Sequence, residues 1–429
     1  MNSPDMAGLP PNGKAKDSVQ APWLTIVGIG EDGWDGLSPR ARAVIADPSA
    51  PIFGGDRQLA LIPDGIGGER IAWPSPFSDG IRRVLAARPS PVTVLASGDP
   101  FWYGVGATLA RHVPPDEMTV IPGASSFALA AARMGWPLQS VRCLSVHGRS
   151  LERVIPALHD RARLVILSWD GSTPGALGRL LADRGFGASP LTVLECMGGP
   201  TERRTTAPAA DWAADTALNR PVDALNTITL DCRADETANS IAAAAGRPDA
   251  MFEHDGQISK REIRAVILAL LAPGRGETLW DIGAGSGAVG IEWMLADAAN
   301  LTVAVERRAE RAERIRRNAL AMGVPDLAIE GCDAADFPAF SMTSPDAVFL
   351  GGGITGAGMV DRYFAAVKPG GRLVASAVTV ESEAVILAAH ARLGGTLTRL
   401  QVARDDRLGG FTGWTALRPV TLWCTRKPS

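Results

Sequence analysis

The chain has 429 residues, a formal net charge of −3, 46% hydrophobic and 21% charged residues. That composition excludes a disordered or fibrous chain and implies about two or three globular domains. The slightly acidic balance gives no global attraction for nucleic acid, and no apolar run approaches the roughly 18 residues of a membrane-spanning helix, so neither partner is expected.

Residues 1–20, MNSPDMAGLPPNGKAKDSVQ, lack the apolar stretch of a secretion leader and read as a disordered polar tail. Strands are expected at Trp23–Val27, Pro91–Ala96, Met118–Ile121, Leu164–Leu167, Leu191–Glu195 and Val222–Leu230. A helix is expected over Ser38–Ala46, with Ser38 as N-cap and Pro39 at its first position. Residues 233–256, rich in Ala, Asp and Glu with glycines near the end, read as a linker. Ser259-Lys260-Arg261-Glu262 then has the spacing of a capping box before the apolar run Ile263–Leu271. Further strands are expected at Thr278–Ile282, Thr302–Val305, Leu327–Ile329, Ala347–Leu350 and Arg372–Val378. Two late apolar stretches, Thr396–Ala403 and Val420–Cys424, have the character of a terminal pair. The alternation of strand and helix argues for doubly wound α/β units.

Cys143, Cys196, Cys232, Cys332 and Cys424 fall in no metal-binding spacing, and the histidines form no cluster, so no metal is expected. Scattered cysteines and the absence of a leader point to a reducing, cytoplasmic setting.

The most informative stretch is Asp281-Ile282-Gly283-Ala284-Gly285-Ser286-Gly287, between a strand and the helix GAVGIEWML. Glycines there turn the chain tightly and let a ligand approach the main chain. Glu306 ends the next strand, where a carboxylate accepts hydrogen bonds from a ribose diol. Gly285-Ser286-Gly287-Ala288-Val289-Gly290 also fits the dinucleotide fingerprint G-x-G-x-x-G, which alone is weak. Asp281 separates the two readings. A carboxylate at the strand end repels a pyrophosphate but suits the ammonium of S-adenosylmethionine. Asp333, after the third strand, is then expected near the adenine.

The first half has three small-residue loops after strands: Gly28-Ile29-Gly30, Ser97-Gly98-Asp99-Pro100 and Pro122-Gly123-Ala124-Ser125-Ser126. Taken alone, they are equally a ligand floor and a set of surface turns.

Together these motifs resemble a known family. GIG, SGDP, PGASS and LNTITL resemble a tetrapyrrole methylase. ISKREIR, LWDIGAGSG, AVE, GCDA, AVFLGGG and KPGGRLVASAVTVESE resemble its decarboxylating partner. Joined in this order, they resemble the C5,15-methylating, decarboxylating precorrin methyltransferases of cobalamin biosynthesis. The resemblance implies a tetrapyrrole-methylase fold of two α/β subdomains over residues 21–240. Residues 241–429 would then form a class I Rossmann-like methyltransferase domain. It implies one S-adenosylmethionine per domain, C5 methylation by the first half, and C15 methylation with loss of the C12 acetate carboxyl by the second. The implied cofactor residues are Gly98, Asp99, Ser125 and Ser126, then Ser259, Asp281, Gly283, Gly285, Gly287, Glu306 and Ala334. Two positions depart from the family's usual residues: Glu31-Asp32 after Gly30, and Ser259 in place of Thr. Homo-oligomers are expected by analogy with both half-families. An RNA or DNA methyltransferase is the alternative acceptor class; no Asn-Pro-Pro-Tyr-type tetrapeptide supports it.

A macrocycle with many carboxylates calls for basic side chains. Lys260 and Arg261 are candidates beside the second pocket, each equally an ordinary exposed charge; His147 and Arg149 are candidates beside the first, where a surface turn is the favoured reading. Trp102 and Tyr103 either stack on the ring or pack in the core. The run Arg307–Arg317 reads as a solvated helix face with Glu310–Arg314 and Glu313–Arg317 pairs. His254-Asp255 reads as linker polarity.

Overall fold

A computed structural model describes residues 22–429; the tail expected over residues 1–20 lies outside the described residues. The first sheet is built from β1 (Leu24–Ile29), β2 (Ile52–Gly54), β3 (Arg70–Ala72), β4 (Val92–Ser97) and β5 (Met118–Ile121), in the order β3-β2-β4-β1-β5. All its pairings are parallel. β1 and β4 are nearly continuous apolar runs because helices cover both faces of such a sheet. The helix Pro39–Ile45 starts as its sequence dictates: the Ser38 hydroxyl accepts the Ala41 N–H at 3.2 Å, and Pro39 needs no donor partner.

The second sheet contains β6 (Arg142–Ser145), β7 (Arg163–Leu167), β8 (Pro190–Glu195), β9 (Arg203–Pro208) and β10 (Asn226–Asp231). Its order is β6-β7-β10-β8-β9, and β10 runs antiparallel to both neighbours. The last strand begins at Asn226 rather than Val222. Residues 222–225 form a turn instead, in which the Asp223 carboxylate accepts the Leu225 N–H at 2.9 Å.

The third sheet comprises β11 (Thr278–Ile282), β12 (Leu301–Val305), β13 (Ala328–Glu330), β14 (Ala347–Leu350), β15 (Arg372–Ala377), β16 (Thr396–Leu400) and β19 (Val420–Arg426). The order is β13-β12-β11-β14-β15-β19-β16, with β19 antiparallel to β15 and β16. Alternation along β11 sends Leu279 into one core layer and Trp280 into the other. Burying such a side chain contributes about 1.5–3 kcal/mol. The late apolar stretches do pair, as β16 and β19. Between them β17 (Ala403–Leu408) and β18 (Phe411–Ala416) form a separate two-stranded hairpin. Its sequence, ARDDRL and FTGWTA, carries little apolar alternation, so only the structure shows it.

The expected linker has no strand, yet it is laced onto the second unit. Ile241 and Phe252 are buried in that unit's core. The Gly246 and Arg247 N–H groups both donate to the carboxylate of Glu292, at 2.7 and 3.0 Å. Arg264 is fully buried, donates to Glu292 at 2.7 Å, and also pairs with Asp249 at 3.1 Å. The two units touch elsewhere. Ile155 packs into the second unit's core, Arg153 pairs with Asp326, and Arg184 donates to the Ala321 carbonyl at 3.2 Å. Among the described residues no helix is long and apolar enough to cross a membrane, no cluster of metal-ligating side chains occurs, and all five cysteines are free.

Candidate active sites

In the first sheet β4, β1 and β5 are adjacent, so their carboxyl ends bring three loops distant in sequence to one place. The loops meet through backbone. A Cβ on Gly28 would lie 1.9 Å from the Gly98 carbonyl oxygen and 2.3 Å from the Gly123 nitrogen, so only glycine fits. The Gly123 N–H donates to the Gly98 carbonyl at 3.1 Å. A cavity of ≈ 380 Å³ opens there, lined by Asp99, Ser125, Ser126, His147 and the aromatic rings of Trp73, Phe77, Trp102 and Tyr103.

Several of these groups are already engaged. Asp99 accepts the Phe101 N–H at 2.8 Å, and the Ser125 hydroxyl caps the helix Ser126–Met134 by accepting the Ala128 N–H at 3.1 Å. Gly98 supports the wall without lining it. His147 Nδ1 lies 3.2 Å from the Ser168 carbonyl oxygen. Arg149 stands outside, its guanidinium 5.1 Å from the centre of the Tyr103 ring, a cation–π contact. Tyr103 itself holds a positive φ of 61°. Sequence reasoning missed Gln58 and Phe77, on the helices Asp56–Ala60 and Phe77–Ala86, and Trp73, just after β3; none lies in a motif, and they join the site only through tertiary packing.

The third sheet has its switch point between β11 and β14, where strand order reverses. A cavity of ≈ 1010 Å³ lies at those carboxyl ends. Ser259, Lys260, Gly283, Glu306, Asp333 and Ala334 line it. Gly283 has φ +70°, and a Cβ there would meet the Gly352 backbone at 2.8 Å. Glu306 sits at the cavity edge, 5% exposed; its Oε2 accepts the Gly285 N–H and its Oε1 the Arg308 N–H, each at 3.0 Å. Each oxygen keeps a second lone pair for a further donor.

Asp281 is a correction to the sequence reading. It does not line the cavity: it is 1% exposed, and its Oδ2 accepts the Gly290 N–H at 3.0 Å. Burial, with Glu306 adding repulsion, pushes its carboxyl up to about 7. Its Oδ1 is buried without a protein partner. The side chain therefore braces the glycine turn from behind. Gly285 and Gly287 do not line the cavity either; a Cβ on Gly287 would strike Ile315 at 2.8 Å.

Arg261 is a second correction. It opens the helix Arg261–Leu271 and is exposed away from the cavity, while Lys260, one residue earlier, lines it. The expected capping box does not form. Lys260 holds the N-cap position, Ser259 falls before it, and no side chain caps the helix. The arginine run is also less solvated than expected. Arg311 and Arg314 reach Asp255 at 2.8 and 3.4 Å, and Arg317 reaches Glu253 at 2.7 Å. The Arg311 guanidinium holds the Asp255 carboxyl down at about 2. Of the two expected pairs, only Glu313–Arg317 is near, at 4.0 Å. Leu417 and Arg418, before β19, also line the cavity; no sequence motif singled them out.

Two fused α/β units, each with a cavity at its strands' carboxyl ends, define the class. The family of Tetrapyrrole (Corrin/Porphyrin) Methylases matches residues 23–213, and the Precorrin methyltransferase domain matches residues 250–427. A Sinorhizobium protein, Precorrin-6Y C(5,15)-methyltransferase [decarboxylating], is 49% identical over 414 residues, covering 96% of this chain and 98% of that one. The chain belongs to the precorrin-6Y C(5,15)-methyltransferase (decarboxylating) family. The halves also have separate relatives. The Cobalt-precorrin-7 C(5)-methyltransferase of Salmonella typhimurium is 31% identical over 199 residues, 46% of this chain and 97% of its own. A Pyrobaculum calidifontis protein, Probable cobalt-precorrin-6B C(15)-methyltransferase (decarboxylating), is 33% identical over 183 residues, 42% of this chain and 94% of its own.

Proposed function

We propose that this chain transfers two methyl groups to a precorrin, at C5 in the first half and at C15 in the second, and removes the C12 acetate carboxyl as carbon dioxide. The observation that carries this reading is the pair of separate cavities, one in each matched half. S-adenosylmethionine supplies an electrophilic methyl group in each.

The residues present fit that donor. In the second half, Glu306 has free lone pairs for a ribose diol, and Asp333 and Ala334 stand where the adenine would lie. The unpartnered Oδ1 of Asp281 marks a polar position behind the turn, available to a bridging water. In the first half, the Gly98, Asp99, Ser125 and Ser126 loops would hold the donor, and His147, Arg149 and the exposed faces of Trp102 and Tyr103 would meet the acceptor. Methyl transfer asks the protein mainly for alignment. The meso carbon of the reduced macrocycle is an enamine-like nucleophile. Breaking the bond to the departing carboxyl leaves its electron pair in the conjugated ring, so few strict acid or base residues are needed.

We also infer a cytoplasmic setting and self-association. The exposed apolar side chains of Leu408, Phe411 and Trp414 on the β17–β18 hairpin support the latter. The deciding assay incubates the full chain with methyl-labelled donor and a precorrin. Two labels and one carbon dioxide per macrocycle are expected; no label on the macrocycle sinks the reading, and label on RNA instead favours the alternative acceptor.

A further inference from the structure

The wall of the larger cavity has two chemistries. Gly283, Glu306, Asp333 and Ala334 give it polar, backbone-rich patches. Ile263, Phe349, Val378, Leu417 and Val420, from separate segments, give it apolar patches. Four cations border the cavity, and two of them are committed: Arg311 to Asp255 at 2.8 Å, and Arg307 to Asp333 at 3.5 Å. Lys260 and Arg418 have no carboxylate partner among the described residues.

These two cations are carried on elements tied to each other. Arg404 at the root of the β17–β18 hairpin donates to Glu262 at 2.6 Å, joining it to the helix that Lys260 precedes. The Leu417 N–H donates to the Val402 carbonyl at 2.8 Å, closing the hairpin's base next to Arg418. Pro419 follows and restricts the Arg418 backbone to extended conformations. A cation on a restrained backbone, lining a cavity and paired with none of its carboxylates, is arranged for an anionic ligand.

We propose that Lys260 and Arg418 form a clamp for retained carboxylates of the macrocycle, while apolar side chains of the wall receive the acetate that leaves. The proposal rests on the function given above and deepens it. The division of labour follows from charge. A carboxylate paired with a guanidinium is stabilised in the ground state and resists losing carbon dioxide. A carboxylate against the buried side chains of Ile263 and Val420 has lost water without gaining a partner, which favours the step that discharges it. The carbon–carbon bond breaks, carbon dioxide departs, and the electron pair passes into the ring before a proton replaces the carboxyl.

The test uses the full chain and two readouts. In absorbance titrations with an octacarboxylate porphyrin, Arg418→Ala and Lys260→Ala each weaken binding about tenfold and flatten its salt dependence. Arg418→Lys recovers part of the loss. Arg316→Ala, an exposed helix arginine away from the cavity, changes nothing. In turnover with the precorrin, Val378→Lys slows carbon dioxide release more than C15 methylation. Wild-type affinity in both alanine variants overturns the clamp, as does failure of the wild type to bind the porphyrin. Weakened binding in the variants with no methyl transfer by the wild type keeps the clamp and removes the functional reading instead.

Discussion

The two cavities lie at equivalent places in their sheets and are built from different atoms. In the first half, three loops from β4, β1 and β5 close on one another through backbone, and the space between Gly28, Gly98 and Gly123 tolerates no side chain. In the second, one glycine turn is braced by carboxylates: Asp281 behind it and Glu306 beside it. Both sites need glycines, and in the second, carboxylates also hold the turn. Steric change should therefore break the first, and changes of charge should tune the second.

The largest effect is expected from Gly28→Ala. A methyl group 1.9 Å from a carbonyl oxygen must separate the loops. Calorimetric titration with S-adenosylmethionine should fall from two equivalents to one, with C15 methylation retained; two equivalents would show that the loop junction does not shape a site. Next is Glu292→Ala, which strands the buried Arg264 and costs about 3–5 kcal/mol of stability. Its thermal transition should shift in the second half while first-half signals stay in place; a uniform shift would mean the halves unfold as one.

Glu306→Gln keeps the shape and removes the charge. Donor affinity of the second site should drop about tenfold, leaving the first unchanged. A pH-dependent effect concerns Asp281. Its carboxyl titrates near 3.8 in the unfolded chain and is pushed up to about 7 by burial in the fold. Between those values the folded state holds a proton that the unfolded state has lost, so stability falls as pH rises through that window and levels off above it. Asp281→Asn should flatten that slope in denaturant titrations run across the window. An unchanged slope would show that Asp281 is ionised throughout.

Much of this was legible locally. The strands β5, β11 and β14 coincide with their expected limits, because each is a short apolar run bounded by turn residues. Glycine motifs located both cavities because the turns that need them follow strands directly. What sequence could not supply was direction. Lys260 and Arg261 are adjacent and chemically alike, and the start of one helix puts the first on the cavity wall and the second outside. Asp281 was expected to display its charge to a ligand; the pleat of β11 turns it inward instead. Arg418, Trp73 and Phe77 carry no motif and reach their sites through long-range packing. The charged hairpin was invisible because its faces are exposed and carry no apolar period.

The passage between the halves has a consequence for anyone cutting the chain. Composition over residues 233–256 suggests a loose tether that a protease would find first. Glu292 holds two of its backbone amides, Ile241 is sunk in the second core, and the Asp235 N–H donates back to the Gly185 carbonyl at 2.9 Å. The seam is stitched on both sides. Trypsin offered Arg233 should nick that bond slowly, and a truncated second half that starts after Ile241 would lack a piece of its own interior.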